Sequence, residues 1–222
     1  METRLQAVVF DMDGTLTDSE EEWDVVRRRL AADEGLPWPE EATRAMMGMS
    51  TPEWSSYLVE VVGLPGTPED VARRTIDAMA DAYHAGRIPI LHGAADAVHR
   101  MAEIAPLGVA SSSPRELIEA GLELLRVRDL VAVVVSTEEV ARGKPHPDGF
   151  LAACEQLRVD PAATVAIEDS TNGLRSALAA GLKVVAVPPR FHPPADDVLA
   201  RAHAVIDDLD ALTVDLVLGL VE

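Results

Sequence analysis

Lysine is almost missing from this chain of 222 residues: of 19 basic side chains only Lys144 and Lys183 are lysines. A site that needs a compact ammonium group therefore has two candidates. Cysteine is rarer still. Cys154 is alone in a helix-like stretch and reads as a small buried apolar residue, which excludes a disulfide framework and suits a reducing compartment. Positive charge is short overall, and the formal net charge of -19 disfavours nucleic acid and anionic membrane surfaces as partners. No apolar run approaches the ~18 residues that span a bilayer. Asp11 also arrives before a signal-peptide core could form. Internal repeats and low-complexity tracts are missing too. These absences predict a cytoplasmic protein with neither a nucleic-acid nor a membrane partner; a monomer or weak dimer is expected.

What is present points to a folded enzyme-sized chain. Hydrophobic residues make up 48%, enough for a sizeable core in one large domain or a core with a modest second one. The most informative stretch is Val9-Phe10-Asp11-Met12-Asp13-Gly14-Thr15-Leu16-Thr17-Asp18. Gln6–Phe10 reads as a buried strand that stops at two carboxylates one residue apart, followed by glycine and threonine. Ligands in open α/β sheets sit where chain leaves a strand. Two aspartates there suit Mg²⁺-assisted phosphoryl transfer to a carboxylate, with Gly14 letting backbone approach closely. Asp-x-Asp-Gly is also a common turn, so the remainder of the chain must decide.

Residues 18–88 read as helix throughout. Ser19 heads a helix carrying Trp23, Val26 and Leu30 on one face, and further helices are expected over Pro39–Met47, Thr51–Val62 and Pro68–Ala85, between Gly/Pro breaks. From about residue 90 helices and strands alternate. Helix Gly93–Ile104 precedes strand Leu107–Ala110. Ser113-Pro114-Arg115-Glu116 has the pattern of a capping box, with Ser113 as the cap of a helix to Leu125. Leu130–Val135, six apolar residues in a row, is expected to be buried on both faces. Helix Asp148–Leu157, strand Thr164–Ile167, helix Asn172–Ala180 and strand Val184–Val187 follow, then a tail with a helix, an edge strand at Ala204–Ile206 and a last helix. The pattern predicts an α/β, doubly wound (Rossmann-like), mostly parallel sheet core formed by residues 1–17 and 89–222, with an inserted all-helical cap domain at 18–88. Spacing agrees. Roughly 100 residues separate Asp11 from Ser111, far more than one crossover needs, whereas Ser111 to Lys144 and Lys144 to Glu168 each fit one βα unit.

Four strand ends then offer polar groups to one crevice: Asp11 and Asp13, Ser111, Lys144, and Glu168 with Asp169. Each alone has a bland reading, as a turn, a strand-end hydroxyl, a solvated cation or a helix cap. Together they do not. The set Asp11-Met12-Asp13-Gly14-Thr15, Val109-Ala110-Ser111, Gly143-Lys144-Pro145 and Ile167-Glu168-Asp169-Ser170 resembles the four motifs of the haloacid dehalogenase superfamily, in order and over nearly the whole chain. Glu168-Asp169-Ser170-Thr171-Asn172-Gly173 and the helical insert resemble its subgroup of β-phosphoglucomutases and small sugar phosphatases.

The resemblance implies roles. Asp11 is the nucleophile that becomes an aspartyl phosphate, and Asp13 is the acid that protonates the leaving alkoxide and then the base that activates water. Mg²⁺ takes oxygen from Asp11, Asp13 (by its backbone carbonyl), Asp169 and Glu168. Lys144 and Ser111 hold the phosphoryl oxygens, with backbone N–H groups at Gly14 and at a helix start near Ser112 completing a nest. Asp18 reads either as a hinge residue or as a turn residue. The partner is a small phosphorylated molecule. An acid at Asp13 argues against a dehalogenase. The insert has no lysine for Schiff-base chemistry. Trp23 stands where the mutase has a histidine, Thr51 follows Gly48-Met49-Ser50 where it has an arginine, and Pro114 replaces its lysine. A phosphatase is the expected activity and a phosphosugar mutase the alternative. A non-enzymatic phospho-acceptor switch is more remote, because its acceptor follows the third strand. In the insert, Trp23, Met46, Met47, Met49 and Trp54 read as pocket lining or as cap core, and Arg27, Arg44 and Arg87 as anion contacts or solvated cations.

Overall fold

The structure, a computed structural model, describes residues 4–46, 49–190 and 193–221. In chain order the elements are β1 (Ala7–Phe10), α1 (Glu20–Asp33), α2 (Ala42–Met46), α3 (Thr51–Tyr57), α4 (Pro68–His84), α5 (Ala94–Ala102), β2 (Leu107–Ser111), α6 (Arg115–Leu124), β3 (Val131–Ser136), α7 (Asp148–Leu157), β4 (Thr164–Glu168), α8 (Thr171–Ala179), β5 (Lys183–Ala186), α9 (Asp196–Leu199), β6 (Ala204–Val205) and α10 (Val214–Gly219). The chain divides into two compact units, Met1–Asp18 with Pro89–Glu222, and Ser19–Ile88.

The first unit is built on one sheet of order β3-β2-β1-β4-β5-β6, in which every pairing is parallel. Its faces follow from the two-residue period of a strand. Val8 and Phe10 join Val109, Val165 and Ile167 in a cluster with Ala97 and Val98 of α5, Ile118 and Leu122 of α6 and Val217 of α10. Val9 turns the other way, joining Ala110, Ala166 and Val184 with Phe150 and Cys154 of α7, Leu174 of α8 and Val198 of α9. Helices thus cover both faces, the doubly wound architecture that the helix–strand alternation predicts. Cys154 is a free, buried thiol whose pKa burial pushes up, so it behaves as an apolar filler.

Two local expectations need correction. β3 is an outer strand with Ala132 exposed, and its closely buried stretch is Val134–Ser136. Six apolar residues are compatible with an edge because α6 and α7 pack on its faces, while Arg128 donates to the Val131 carbonyl and Arg115 to the Val134 carbonyl. Ser113 does not cap α6 either. Pro114 occupies the position before the helix, and the Ser113 hydroxyl goes elsewhere.

The second unit is helical. Thr67 and Asp70 form a capping box, with Pro68 in the first turn of α4, and Val71, Thr75, Met79 and Ala82 recur on its buried face. Ser50 precedes α3, its N–H and hydroxyl both donating to Glu53. The chain enters and leaves this insert side by side on the sheet unit: Asp18 N–H donates to the Pro89 carbonyl and Leu91 N–H to the Leu16 carbonyl. Asp18 is exposed. Among the described residues, no helix is long and apolar enough to cross a membrane.

Candidate active site

β1 lies inside the sheet, with β2 on one side and β4 on the other. From β2 the chain winds outward to β3, and from β4 to β5 and β6, so the strand order reverses at the carboxyl end of β1. A crevice forms at such a switch point. Asp11 leaves β1 there, anchored by its N–H to the Ile167 carbonyl at 2.9 Å. Parallel register brings the ends of β2 and β4 to the same edge, and with them Ser111 and Glu168.

Four charged groups meet in this crevice. Lys144 Nζ donates to Asp11 Oδ1 at 2.5 Å and to Glu168 Oε1 at 2.7 Å. Its side chain is 7% exposed, and the Phe150 ring lies 5.3 Å beneath the ammonium. Asp169 is 8% exposed, and its Oδ1 accepts the Thr15 hydroxyl at 3.2 Å. One oxygen of each of Asp11, Glu168 and Asp169 lies within 4.8 Å of the others. Three buried carboxylates thus face a single ammonium.

The imbalance shows in the electrostatics. Burial pushes the Asp11 carboxyl up to about 7, Lys144 opposing the rise and Glu168 adding to it. Burial, then Glu168 and Asp11, push Asp169 up to about 9. Burial also works against the Lys144 charge, but the two carboxylates beside it outweigh that and hold its pKa above the ordinary lysine value. A hard divalent cation fits here: the donors are oxygens, the excess charge is negative and the carboxylates converge.

Two glycines make room for the carboxylates. Gly14 has φ +87°, and a Cβ there would lie 2.2 Å from Asp169 Oδ2. Its own N–H donates to the Thr17 carbonyl at 2.7 Å, so its expected place as a phosphate donor gives way to a steric one. Gly173 lies in the first turn of α8, where a Cβ would come within 1.5 Å of Glu168 Oε1. Glu168 is fully buried, and its other oxygen accepts the N–H of Ser170 at 2.7 Å and its hydroxyl at 3.0 Å. Ser170, rather than Asp169, caps α8, accepting from the Gly173 N–H.

The Asp13 side chain is not one of the three converging carboxylates, although its charge adds to the rise of the Asp11 pKa. Ser113 Oγ donates to its Oδ2 at 2.6 Å, and Ser111 Oγ lies 3.4 Å from the same oxygen. Ser111 is buried at the end of β2. Ser112 is exposed and lies three residues before α6 begins, so no helix start supplies the nest expected there. Thr15, Ser170 and Ser113 are the supporting groups that sequence reading gave no role in the site. Thr15 and Ser170 stand within the quoted motifs, whereas Ser113 resembles a helix cap.

In the helical unit, Trp23 and Trp54 pack against each other with ring centroids 5.8 Å apart, and the Arg27 guanidinium lies over both, 4.8 and 5.1 Å from the two centroids. Its Nε is buried with no hydrogen-bond partner, and burial lowers its pKa to about 10. Trp54 and Met46 are buried within this unit, Met49 is half-buried, Arg44 is exposed and Arg87 pairs with Glu22 at 2.8 Å. Met47 and Gly48 lie outside the described residues.

A family model described as haloacid dehalogenase-like hydrolase matches residues 5–181. The chain is 31% identical over 229 residues to hexitol phosphatase B of Escherichia coli O157:H7, covering 97% of this chain and 98% of that one. It is 29% identical over 205 residues to validoxylamine A 7'-phosphate phosphatase of Streptomyces hygroscopicus subsp. limoneus, covering 92% and 94%. Among solved structures, CbbY from Rhodobacter sphaeroides in complex with phosphate is similar at a TM-score of 0.85 and 26% identity, covering 96% of this chain and 99% of that one.

Proposed function

The chain belongs to the haloacid dehalogenase-like hydrolase family, and from that premise we propose that it is a Mg²⁺-dependent phosphatase that hydrolyses a small phosphate monoester, a sugar phosphate or similar polyol phosphate, through an aspartyl phosphate. The observation that carries this reading is the Asp11–Lys144–Glu168–Asp169 cluster at the sheet's switch point, with Asp13 two residues from Asp11. Relatives named hexitol phosphatase B and validoxylamine A 7'-phosphate phosphatase support the substrate class.

In this reading Asp11 attacks phosphorus, and the P–O bond to the leaving alkoxide breaks as the Asp11–phosphorus bond forms. Asp13 gives that alkoxide its proton. Water then attacks the aspartyl phosphate, Asp13 takes the water's proton, and Asp11 is released with inorganic phosphate. Lys144 supplies positive charge to the phosphoryl oxygens, and Glu168 holds Lys144 in place. Asp11, Asp169 and the Asp13 backbone carbonyl would hold Mg²⁺, with Glu168 beside them. The cation supplies charge for the phosphoryl oxygens. The helical unit acts as a cap that selects the leaving group. A panel of phosphate monoesters, scored for inorganic phosphate with Mg²⁺ and with chelator, tests the reading. Turnover of a polyol or sugar phosphate that chelator abolishes is expected. Isomerisation of β-glucose 1-phosphate with little phosphate released would refute it in favour of a mutase.

A further inference from the structure

Ser113 has the sequence signature of a helix cap and the surroundings of something else. Its hydroxyl donates to Asp13 Oδ2 at 2.6 Å across a separation of 100 residues in sequence. The residue is itself pinned from two strands. Its N–H donates to Ser111 Oγ at 3.1 Å, and its carbonyl accepts the Ser136 hydroxyl at 2.7 Å. Ser111 and Ser136 are each 1% exposed and end β2 and β3, and Pro114 restricts the next backbone step. Little freedom remains in where the Ser113 hydroxyl points.

We propose that Ser113 is a positioning residue for Asp13: its hydroxyl holds Oδ2 and so fixes the rotation of the carboxyl group that exchanges a proton during the reaction. The inference rests on the reading of Asp13 as the acid and base. A carboxyl torsion is broad and roughly two-fold, so an untethered Asp13 presents either oxygen at many angles. A neutral hydroxyl donor suits both halves of the cycle. The Ser113 hydroxyl can donate to Oδ2 both as the alkoxide departs and as water attacks, so the carboxyl group keeps one orientation through both steps. Ser111, 3.4 Å from the same oxygen, adds a weaker contact on the same side.

The test separates the two chemical steps. With 4-nitrophenyl phosphate, whose leaving group needs no proton, rapid mixing of Ser113→Ala with Mg²⁺ should release the first equivalent of nitrophenolate within about twofold of the wild-type rate. Water attack should then be slower by about 10–100-fold, the worth of one hydrogen bond to a charged group, so a burst appears and acid quenching recovers phosphoenzyme. With an alkyl phosphate the first step should itself slow by a similar factor. Ser113→Thr, which keeps the hydroxyl, should restore both steps, and Ser113→Ala added to Asp13→Asn should cost nothing further. A loss in the first step that is equal for both substrates, or a rise in KM alone, would make Ser113 a phosphate contact and overturn the proposal. If Asp13→Asn itself lacks the burst, the acid/base reading falls. If Asp13→Asn shows the burst and Ser113→Ala does not, only the positioning role falls.

Discussion

Replacing Gly173 by alanine should destabilise this protein, although a helical glycine-to-alanine change ordinarily stabilises by about 0.5–1 kcal/mol. The added Cβ would lie 1.5 Å from Glu168 Oε1, 1.9 Å from its Cδ and 2.3 Å from Oε2. No rotation of a fully buried glutamate clears three such contacts while keeping its partners. Glu168 must move away from the Lys144 ammonium at 2.7 Å or from the Ser170 N–H at 2.7 Å. Breaking a buried charged pair costs about 3–5 kcal/mol. Less the propensity gain, about 2–4 kcal/mol remains. At roughly 2–4 °C per kcal/mol for a chain of this size, the melting temperature should fall by about 5–15 °C. Scanning calorimetry measures it. Turnover should fall as well, because Lys144 loses one of its two anchors. Adding Glu168→Asp, which withdraws the carboxylate by one methylene, should return part of the lost melting temperature. A Gly173→Ala protein that melts at or above the wild type would refute the steric reasoning.

Asp11→Asn should abolish both turnover and phosphoenzyme, and residual activity above a few per cent in clean protein would remove the nucleophile assignment. Lys144→Ala should lower turnover by about 10²–10³, the usual effect of deleting one electrostatic donor, and a folded variant with full activity would make Lys144 purely structural. Stability without divalent cation should depend on pH in a defined direction. The folded-state pKa values of Asp11 and Asp169 lie above the ordinary 3.8. Their contribution is therefore complete below that value and is lost as pH rises through about 7 for Asp11 and about 9 for Asp169. The melting-temperature gain on adding Mg²⁺ should consequently grow between roughly pH 5 and pH 9, and a gain that is flat with pH would contradict it.

The features that local sequence encodes were legible. Apolar strands ending in Asp11, Ser111 and Glu168, with helices between them, define a parallel sheet, and a parallel sheet puts those ends on one edge. What stayed hidden depended on partners far apart in the chain. Ser113 followed by proline and, two residues on, by Glu116 satisfies a helix-start rule, and nothing nearby reveals Asp13 as its partner. Leu130–Val135 reads as buried on both faces because apolar composition reports helices on them, whereas the place of β3 at the edge comes from the order in which the chain crosses the sheet. Gly14 suits a phosphate loop, yet the turn takes its N–H for Thr17. Trp23 and Arg27 sit one helical turn apart on α1, but the second indole of their cluster, Trp54, comes from α3.

The pairing of Asp18 with Pro89 and of Leu91 with Leu16 makes the insert, for the sheet it interrupts, simply a long loop whose ends already meet. Loop-closure entropy grows only with the logarithm of length, so a connection one tenth as long as Ser19–Ile88 would differ by about 2 kcal/mol. The junction is therefore a natural splice point. A different helical module, or a short turn, grafted between residues 18 and 89 should leave the sheet and its row of carboxylates intact, so that new substrate ranges can be acquired by exchange at one seam.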